Sequence, residues 1–371
     1  MMKKLQELES ARGIASLVVL IHHFFLGFSP ETTGLLAQTR TAESFYGNYF
    51  FWAFNGTAAV NFFFLLSGFV LTFKYFEGTK NDFGAAIVKR APRLALLCII
   101  TMLVSCIFLK SGWLDYKSAA KISSSPWLAD FAFAGVGDDF KPSIFSAIWQ
   151  GCTTFFTGAA TYNSNLWTMK IEFYGSILCF MMAASIVSIR SDLAKNISML
   201  VILIFVVKSM RDFTPFIIGV CVAFLHSRKH FRLNFPVSAL LLLAGLYFLG
   251  YTESVRDYYW VPAKSDRQIF VLSLGSLAVL VSLISSSVIA SAFKTKWLIF
   301  LGRISFPLYA VHTLVIIFPA SSLFVALAGH KALQLPATFL TTLALSFLVA
   351  YPLMHLDERW TKMLNNKTKG L

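Results

Sequence analysis

The chain has 371 residues, of which 57% are hydrophobic and only 13% are charged. A soluble domain carries roughly 25% charged residues, so this composition excludes a soluble globular protein and predicts an all-α integral membrane protein. The net charge of +14 follows from membrane topology, as shown below, and does not indicate a nucleic-acid partner. The five cysteines have neither a disulfide pattern nor a metal-ligand spacing, and we expect no metal.

Apolar runs of span length occur about ten times along the chain. We therefore predict about ten transmembrane helices in one bundle, forming a single membrane domain over residues 1–371. The first run contains Arg12 and His23 and lacks a small-residue cleavage site, so we expect it to stay as a span. The predicted spans are 12–28, 49–73, 93–110, 165–187, 197–213, 214–226, 235–251, 268–290, 298–320 and 335–356.

The charges between these runs predict the topology. With the amino terminus in the cytoplasm, 20 of the 32 Lys and Arg residues lie on the inner side, 11 lie on the outer side, and Lys170 is within a span. The acidic residues divide into 7 inside and 10 outside, so the inner face carries +13 and the outer face +1. This positive-inside bias predicts that both termini are cytoplasmic.

The longest connection, at about 111–164, is predicted to be extracytoplasmic, and we expect no extra soluble domain. It contains a short apolar segment, 144–156, which we interpret as interfacial or re-entrant. If that segment were an eleventh span, the 12 downstream cations predicted inside would face out, and the 6 predicted outside would face in.

The first span carries two ionisable residues on one predicted helix face. Arg12 and His23 are eleven residues apart. On a helix their side chains then point within roughly 20° of the same direction and lie about 16 Å apart along the helix axis. Glu9 lies one turn before Arg12 and is close enough to pair with it. An ionisable residue as deep as His23 indicates a functional site, although a lone buried histidine is more often satisfied by a neighbouring helix, and Arg12 alone is more often a positive-inside anchor.

Two further clusters lie near the inner ends of the second and third spans. Ser67 and Gly68 allow close helix approach and fit a packing role better than a chemical one. Residues 89–93 place Lys89, Arg90 and Arg93 at a helix start. These cations are equally consistent with inner-face anchors and with a phosphate site, because arginine forks and a helix amino terminus both suit phosphate oxygens.

Two later clusters place ionisable residues in spans. Lys170 and Glu172 point to different sides of a helix and each needs another partner, either a structural ion pair or a functional group. His312 lies in the outer half of its span. By rise per residue, His23 is about 16 Å from the inner end of its span and Glu172 about 10 Å from the outer end of its own. These depths, together with that of His312, predict one buried polar site.

Five patterns occur in order along the chain. They comprise Glu9, Arg12, Gly13 and His23; Phe63 to Phe69; Arg90 and Arg93; Leu166, Trp167, Thr168 and Glu172; and Ile304 to His312. In this combination the sequence resembles the membrane acyltransferase 3 family.

The resemblance implies an integral membrane O-acyltransferase. It would move an acyl group, usually acetyl, from cytoplasmic acyl-coenzyme A (acyl-CoA) to a hydroxyl of a carbohydrate or glycoconjugate. In that mechanism Arg90 and Arg93 hold the coenzyme A phosphates, and the thioester end runs in beside Arg12. His23 acts as general base or briefly carries the acyl group, and Glu172 orients His23. The expected acceptor side comprises Trp167, Asn165, His312 and Tyr309; the expected structural residues are Glu9, Ser67 and Gly68.

A transporter or flippase is the alternative class, because intramembrane His, Lys and Glu also suit a proton-coupled pathway. A non-catalytic relative that acts as a partner is a weaker third interpretation. The sequence has no obvious repeat halves, and its basic site on one face favours a phosphorylated donor. The expected location is a bacterial inner membrane, among membrane lipid; the sequence fixes neither the acceptor, the acyl chain nor the oligomeric state.

Overall fold

The computed structural model describes residues 5–78, 82–137, 139–252, 258 and 267–368, and this part of the chain is helical without a β-strand. Its α-helices are α1 Gln6–Phe28, α2 Pro30–Thr33, α3 Gly56–Phe76, α4 Phe83–Val88, α5 Arg90–Lys110, α6 Asp115–Ser123, α7 Pro126–Ala129, α8 Ile144–Thr157, α9 Thr168–Ser188, α10 Asp192–Ser209, α11 Thr214–Arg228, α12 Phe235–Leu249, α13 Gln268–Ser285, α14 Ser287–Ala292, α15 Lys296–Val315, α16 Ser321–Ala326 and α17 Lys331–Lys367.

Within the described residues, seven helices are long and apolar enough to cross a membrane. They are α1, α3, α4 continued by α5, α9 with the 3-10 turn before it, α13, α15 continued by α16, and α17. The predicted all-helical membrane protein is therefore confirmed. The other three predicted spans correspond to α10, α11 and α12, of 18, 15 and 15 residues, and the total of about ten spans stays a prediction.

The predicted span 49–73 is divided in the structure. Residues Tyr49–Ala53 form a 3-10 turn, and α3 begins only at Gly56. The side chain of Asn55 accepts a hydrogen bond from the backbone N–H of Ala58 at 3.1 Å, which caps the helix amino terminus. This cap explains why the helix starts seven residues later than the apolar run.

Helices α1 and α15 pack side by side in parallel. Gly13 lies against Gly302 near one end of the pair, and His23 lies against His312 ten residues further along both helices. A methyl group on Gly13 would lie 2.5 Å from the backbone nitrogen of Gly302. Glycine at both positions therefore allows the close approach that brings the two histidines together.

Helices α3 and α11 form a second close pair that also runs in parallel, since Phe64 stacks on Phe216 and Phe76 lies against Phe224 further along both helices. Gly68 faces the backbone of Phe216, and Gly219 faces the backbone of Leu65 and Phe69. A methyl group on Gly68 would therefore meet the backbone of Phe216. On the same helix, Ser67 turns toward α9, where its hydroxyl donates to Glu172 at 2.9 Å.

The connection 111–164 folds into short helices, α6, α7 and α8. Helix α8 has 14 residues, fewer than the ~20 that a bilayer crossing needs, and it packs along α5 and α9. Helix α7 is held to the carboxyl end of α1: Ser125 Oγ donates to the carbonyl of Leu26 at 2.5 Å, and Ser123 Oγ to that of Gly27 at 2.8 Å. These hydroxyls satisfy carbonyls that a helix end leaves without a partner.

Candidate active site

Two histidines from parallel helices meet inside the bundle. His23 Nδ1 of α1 lies 2.8 Å from His312 Nε2 of α15. The other nitrogen of His312, Nδ1, lies 3.2 Å from the carbonyl oxygen of Leu308 one turn earlier. Because a carbonyl only accepts, His312 Nδ1 carries a proton, and in a neutral ring its Nε2 then accepts from His23 Nδ1–H. These two hydrogen bonds leave His23 Nε2 unprotonated and available to a substrate.

Trp127 holds the ring of His23 from the other side. Its ring stacks on that of His23 with centroids 5.3 Å apart and 16° between the planes. Trp127 comes from α7, whose amino terminus is capped by Ser125 and tied to the end of α1 by the same hydroxyl. The 111–164 connection therefore positions the aromatic partner of His23.

His22 points away from this pair, as the helical periodicity predicts. Its Nδ1 lies 2.7 Å from the carbonyl oxygen of Phe54, in the break between the 3-10 turn and α3. That carbonyl also accepts the N–H of Gly56 at 3.1 Å, and its second hydrogen bond, from His22, holds the start of α3 against α1.

A cavity of about 500 Å³ lies between His23 and the 111–164 connection. We call it the outer cavity, after the predicted topology. It is lined in part by His22, His23, Trp127, Asn165, Trp167 and Tyr309. Trp167 is 52% exposed and offers a flat apolar surface, whereas Trp127 is buried.

Glu172 is held by residues other than His23 and His312. Its carboxylate forms an ion pair with Arg90 and accepts the hydroxyl of Ser67, while Arg90 Nε donates to Ser176 Oγ at 2.8 Å. The Arg90 and Glu172 side chains are 8% and 13% exposed, so the pair is nearly buried. This arrangement differs from the prediction that Glu172 orients His23, because the carboxylate is held by a guanidinium on α5.

The same arrangement changes the expectation for Arg90. Its guanidinium is engaged by α9, whereas the guanidinium groups of Arg12 and Arg93 make no hydrogen bond within the described residues. Both line a second cavity, of about 400 Å³, which we call the inner cavity. Arg12 interacts electrostatically with Arg93, Glu9 and Glu172. The inner cavity thus presents two guanidinium groups with donors to spare.

The two cavities share a wall formed by Val60, Thr168 and Tyr309. Tyr309 Oη lies 2.8 Å from Thr168 Oγ1 and donates to the backbone carbonyl of Asn165 at 2.8 Å. The Tyr309 and His312 rings are 5.8 Å apart. The arginine-lined cavity and the histidine-lined cavity are therefore separated by little more than one hydrogen-bonded pair of side chains.

The chain matches the family model Acyl_transf_3, described as an acyltransferase domain, over residues 5–355. It belongs to the membrane acyltransferase 3 family. The protein is thus a membrane acyltransferase, as the sequence resemblance predicted. No curated protein and no solved structure matches the chain.

The residues of the sequence motifs in this acyltransferase lie in several different parts of the structure. Asn165 donates to the carbonyl of Tyr309, and Asn163 to that of Ala310 at 2.8 Å. These bonds hold the turn before α9 against α15. His312 contacts His23 and does not line the outer cavity, whereas Tyr309 lines both cavities. The substrate-binding roles predicted for these residues stay predictions.

Sequence reasoning missed two residues of the acyltransferase site. Trp127 lies outside every motif; Ser125 followed by Pro126 is typical of a short capped helix, but nothing local indicates that Trp127 faces His23. Ser176, which binds Arg90, lies one turn beyond Glu172 on α9. Within the described residues no group of three or more His, Cys, Asp or Glu side chains could hold a metal ion, and all five cysteines are free.

Proposed function

We propose that this acyltransferase moves an acyl group, in the simplest case acetyl, from cytoplasmic acyl-CoA to a hydroxyl of a carbohydrate or glycoconjugate acceptor. The donor enters the inner cavity, the acceptor occupies the outer cavity, and the reaction takes place where the two meet. The observation that carries the proposal is the histidine pair on one side of the Thr168–Tyr309 wall and the free guanidinium groups on the other.

The donor assignment is supported by Arg12 and Arg93. A guanidinium offers five N–H donors in a planar fork that suits phosphate oxygens. Arg90 is left out of this role because Glu172 and Ser176 already engage its guanidinium. Glu172 instead keeps Arg90 fixed and, through the charge it adds near Arg12, limits the repulsion between the arginines.

The proton transfer is supported by the tautomers that the hydrogen bonds impose. His23 Nε2 accepts the proton of the acceptor hydroxyl, whose oxygen attacks the carbonyl carbon of the thioester. The carbon–sulfur bond then breaks, the coenzyme A thiolate leaves, and it takes a proton back from His23. While His23 is charged, its Nδ1–H donates to His312 Nε2, and the resulting charge-assisted bond stabilises the intermediate.

The test is release of coenzyme A from acetyl-CoA by purified protein in nanodiscs, with a panel of carbohydrate acceptors. The wild type is expected to release coenzyme A in an acceptor-dependent way, and His23→Ala is expected to abolish that release. His330→Ala is the matched control, because His330 is an exposed histidine that lines neither cavity. Full acceptor-dependent release by His23→Ala, at equal folded protein, would contradict the mechanism.

A further inference from the structure

A third cavity, of about 670 Å³, opens beside the inner cavity. We call it the side cavity. Glu9, Arg12 and Val70 line both cavities, so a long ligand could occupy the two together around Arg12. The mechanism above uses only the inner cavity and gives this larger space no role.

One wall of the side cavity is aromatic. Phe69 and Phe73 of α3 stack with centroids 5.1 Å apart and 14° between the planes, and the His226 ring of α11 lies 5.6 Å from Phe73 and 5.3 Å from Phe231. His226 Nδ1 accepts the backbone N–H of Phe231 at 3.3 Å, so in a neutral ring Nε2 carries the proton. A wall of ring faces with one N–H donor is suited to a flat heteroaromatic base.

Cations lie next to this wall. Lys74 directly follows Phe73, and Arg232 directly follows Phe231; both side chains are exposed and line the side cavity. The lining also contains Lys294 and three carboxylates, of Glu7, Glu9 and Glu77. Two of these are already compensated: Glu7 is bound to Lys294 at 3.2 Å, and Glu9 interacts with Arg12. The third, Glu77, follows Lys74 by one turn at the end of α3. The four cations of the lining, Arg12, Lys74, Arg232 and Lys294, exceed its three carboxylates by one, so Lys74 and Arg232 bring net positive charge to the edge of the aromatic surface.

We propose that the side cavity binds the nucleotide end of the acyl-CoA donor. The adenine ring packs against Phe73, His226 and Phe231, and the ribose 3′-phosphate contacts Lys74 and Arg232. The pyrophosphate lies at Arg12, where the two cavities join, and the pantetheine arm extends through the inner cavity toward Thr168 and Tyr309. This inference rests on the proposed function, and it adds a second site that selects a phosphorylated nucleotide.

The test compares three donors in the coenzyme A release assay: acetyl-CoA, its 3′-dephospho form and acetylpantetheine. For the wild type we expect KM to rise about 10-fold when the 3′-phosphate is removed, the effect of one charge-assisted contact. Arg232→Gln should raise KM for acetyl-CoA by a similar factor and leave KM for the dephospho donor unchanged. Phe231→Leu should raise KM for both nucleotide donors but not for acetylpantetheine.

Lys296→Gln is the matched control, since Lys296 is exposed at the same end of the bundle and does not line the side cavity; its KM values should equal those of the wild type. Equal KM for acetyl-CoA and the dephospho donor in the wild type would overturn the inference. An equal rise in KM for both donors in Arg232→Gln would also overturn it.

Direct binding of adenosine 3′,5′-bisphosphate separates this inference from the proposed function. Binding that Arg232→Gln weakens would support the nucleotide site even if no acyl transfer were found. Acyl transfer without such binding would overturn the nucleotide site and leave the proposed function intact. Arg232-dependent binding of anionic lipid, with none of the bisphosphate, would assign the cations to lipid headgroups and overturn the inference.

Discussion

At the candidate active site, the hydrogen bond that His312 accepts determines which nitrogen of His23 is left to face the outer cavity. The Nε2 of His312 accepts from His23 Nδ1 at 2.8 Å, so removal of that acceptor frees the His23 ring to rotate or change tautomer. We expect His312→Ala to lower kcat by about 10²-fold, within the range of general-base effects, with little change in KM for acetyl-CoA.

His312→Gln is the informative companion, because its side-chain oxygen can still accept from His23 Nδ1. We expect it to recover part of the lost kcat and to keep a pH–rate profile closer to that of the wild type. Equal kcat values for the Ala and Gln variants would contradict a positioning role for His312.

Arg90 and Arg93 lie three residues apart on α5 and allow one chemical change to be compared at two positions. Arg90→Gln leaves the Glu172 carboxylate nearly buried without its cation, and loss of such a partner costs about 3–5 kcal/mol. We expect a clear drop in Tm in detergent. Arg93→Gln should leave Tm unchanged and raise KM for acetyl-CoA about 10-fold, because it removes one charged phosphate contact. A drop in Tm for Arg93→Gln together with a raised KM for Arg90→Gln would show that Arg90 holds the donor.

The sequence named most of the residues that the structure brings together around the two cavities, but not their pairing. Depth along a helix follows from the rise per residue, which is why His23, His312 and Glu172 were expected together. The direction in which each side chain points depends on how the helices are rotated and packed, and Glu172 turns toward Arg90 and Ser67. Trp127 could not be found because its contact with His23 depends on the folding of the 111–164 connection.

At the scale of elements, the contact between α1 and α15 sets the distance between the histidines. Gly302→Ala would place a methyl group against the backbone of Glu9 and Ser10, where only a helix shift could relieve the clash. We expect a loss of about 1–3 kcal/mol in stability, typical of overpacking, and a fall in kcat, measured as Tm and acceptor-dependent coenzyme A release.

Gly84→Ala is the control for this change, because a methyl group on Gly84 meets no atom within 4 Å. It should keep wild-type Tm and kcat. A Gly302→Ala variant with wild-type kcat would show that the close packing of α1 and α15 is not needed to hold the histidine pair.

The helices themselves were largely predictable, because ten apolar runs of span length leave few alternatives. Their ends were not. The predicted span 49–73 loses its first turns to the Asn55 cap, and α17 continues to Lys367, well beyond the predicted limit at 356. Both differences arise from capping and helix propagation in polar sequence, which hydropathy does not measure.

For the whole molecule, the topology depends on whether α8 crosses the membrane. We expect Lys141→Cys, before α8, to react with a membrane-impermeant maleimide in intact cells, and Lys362→Cys, in α17, to react only after lysis. Both variants are made in a protein that also carries Cys152→Ser, which removes the half-buried cysteine of α8. Labelling of both sites in intact cells would mean that α8 is an eleventh span.

The central claim is that an acyl group passes from a donor on one side of the membrane to an acceptor on the other, at His23. Radiolabelled acetyl-CoA, added outside proteoliposomes that contain a trapped glycan acceptor, tests this claim most directly. The wild type and His330→Ala should both label the trapped glycan, and His23→Ala should not. Labelling of glycan only on the acetyl-CoA side, or wild-type labelling by His23→Ala, would contradict the account.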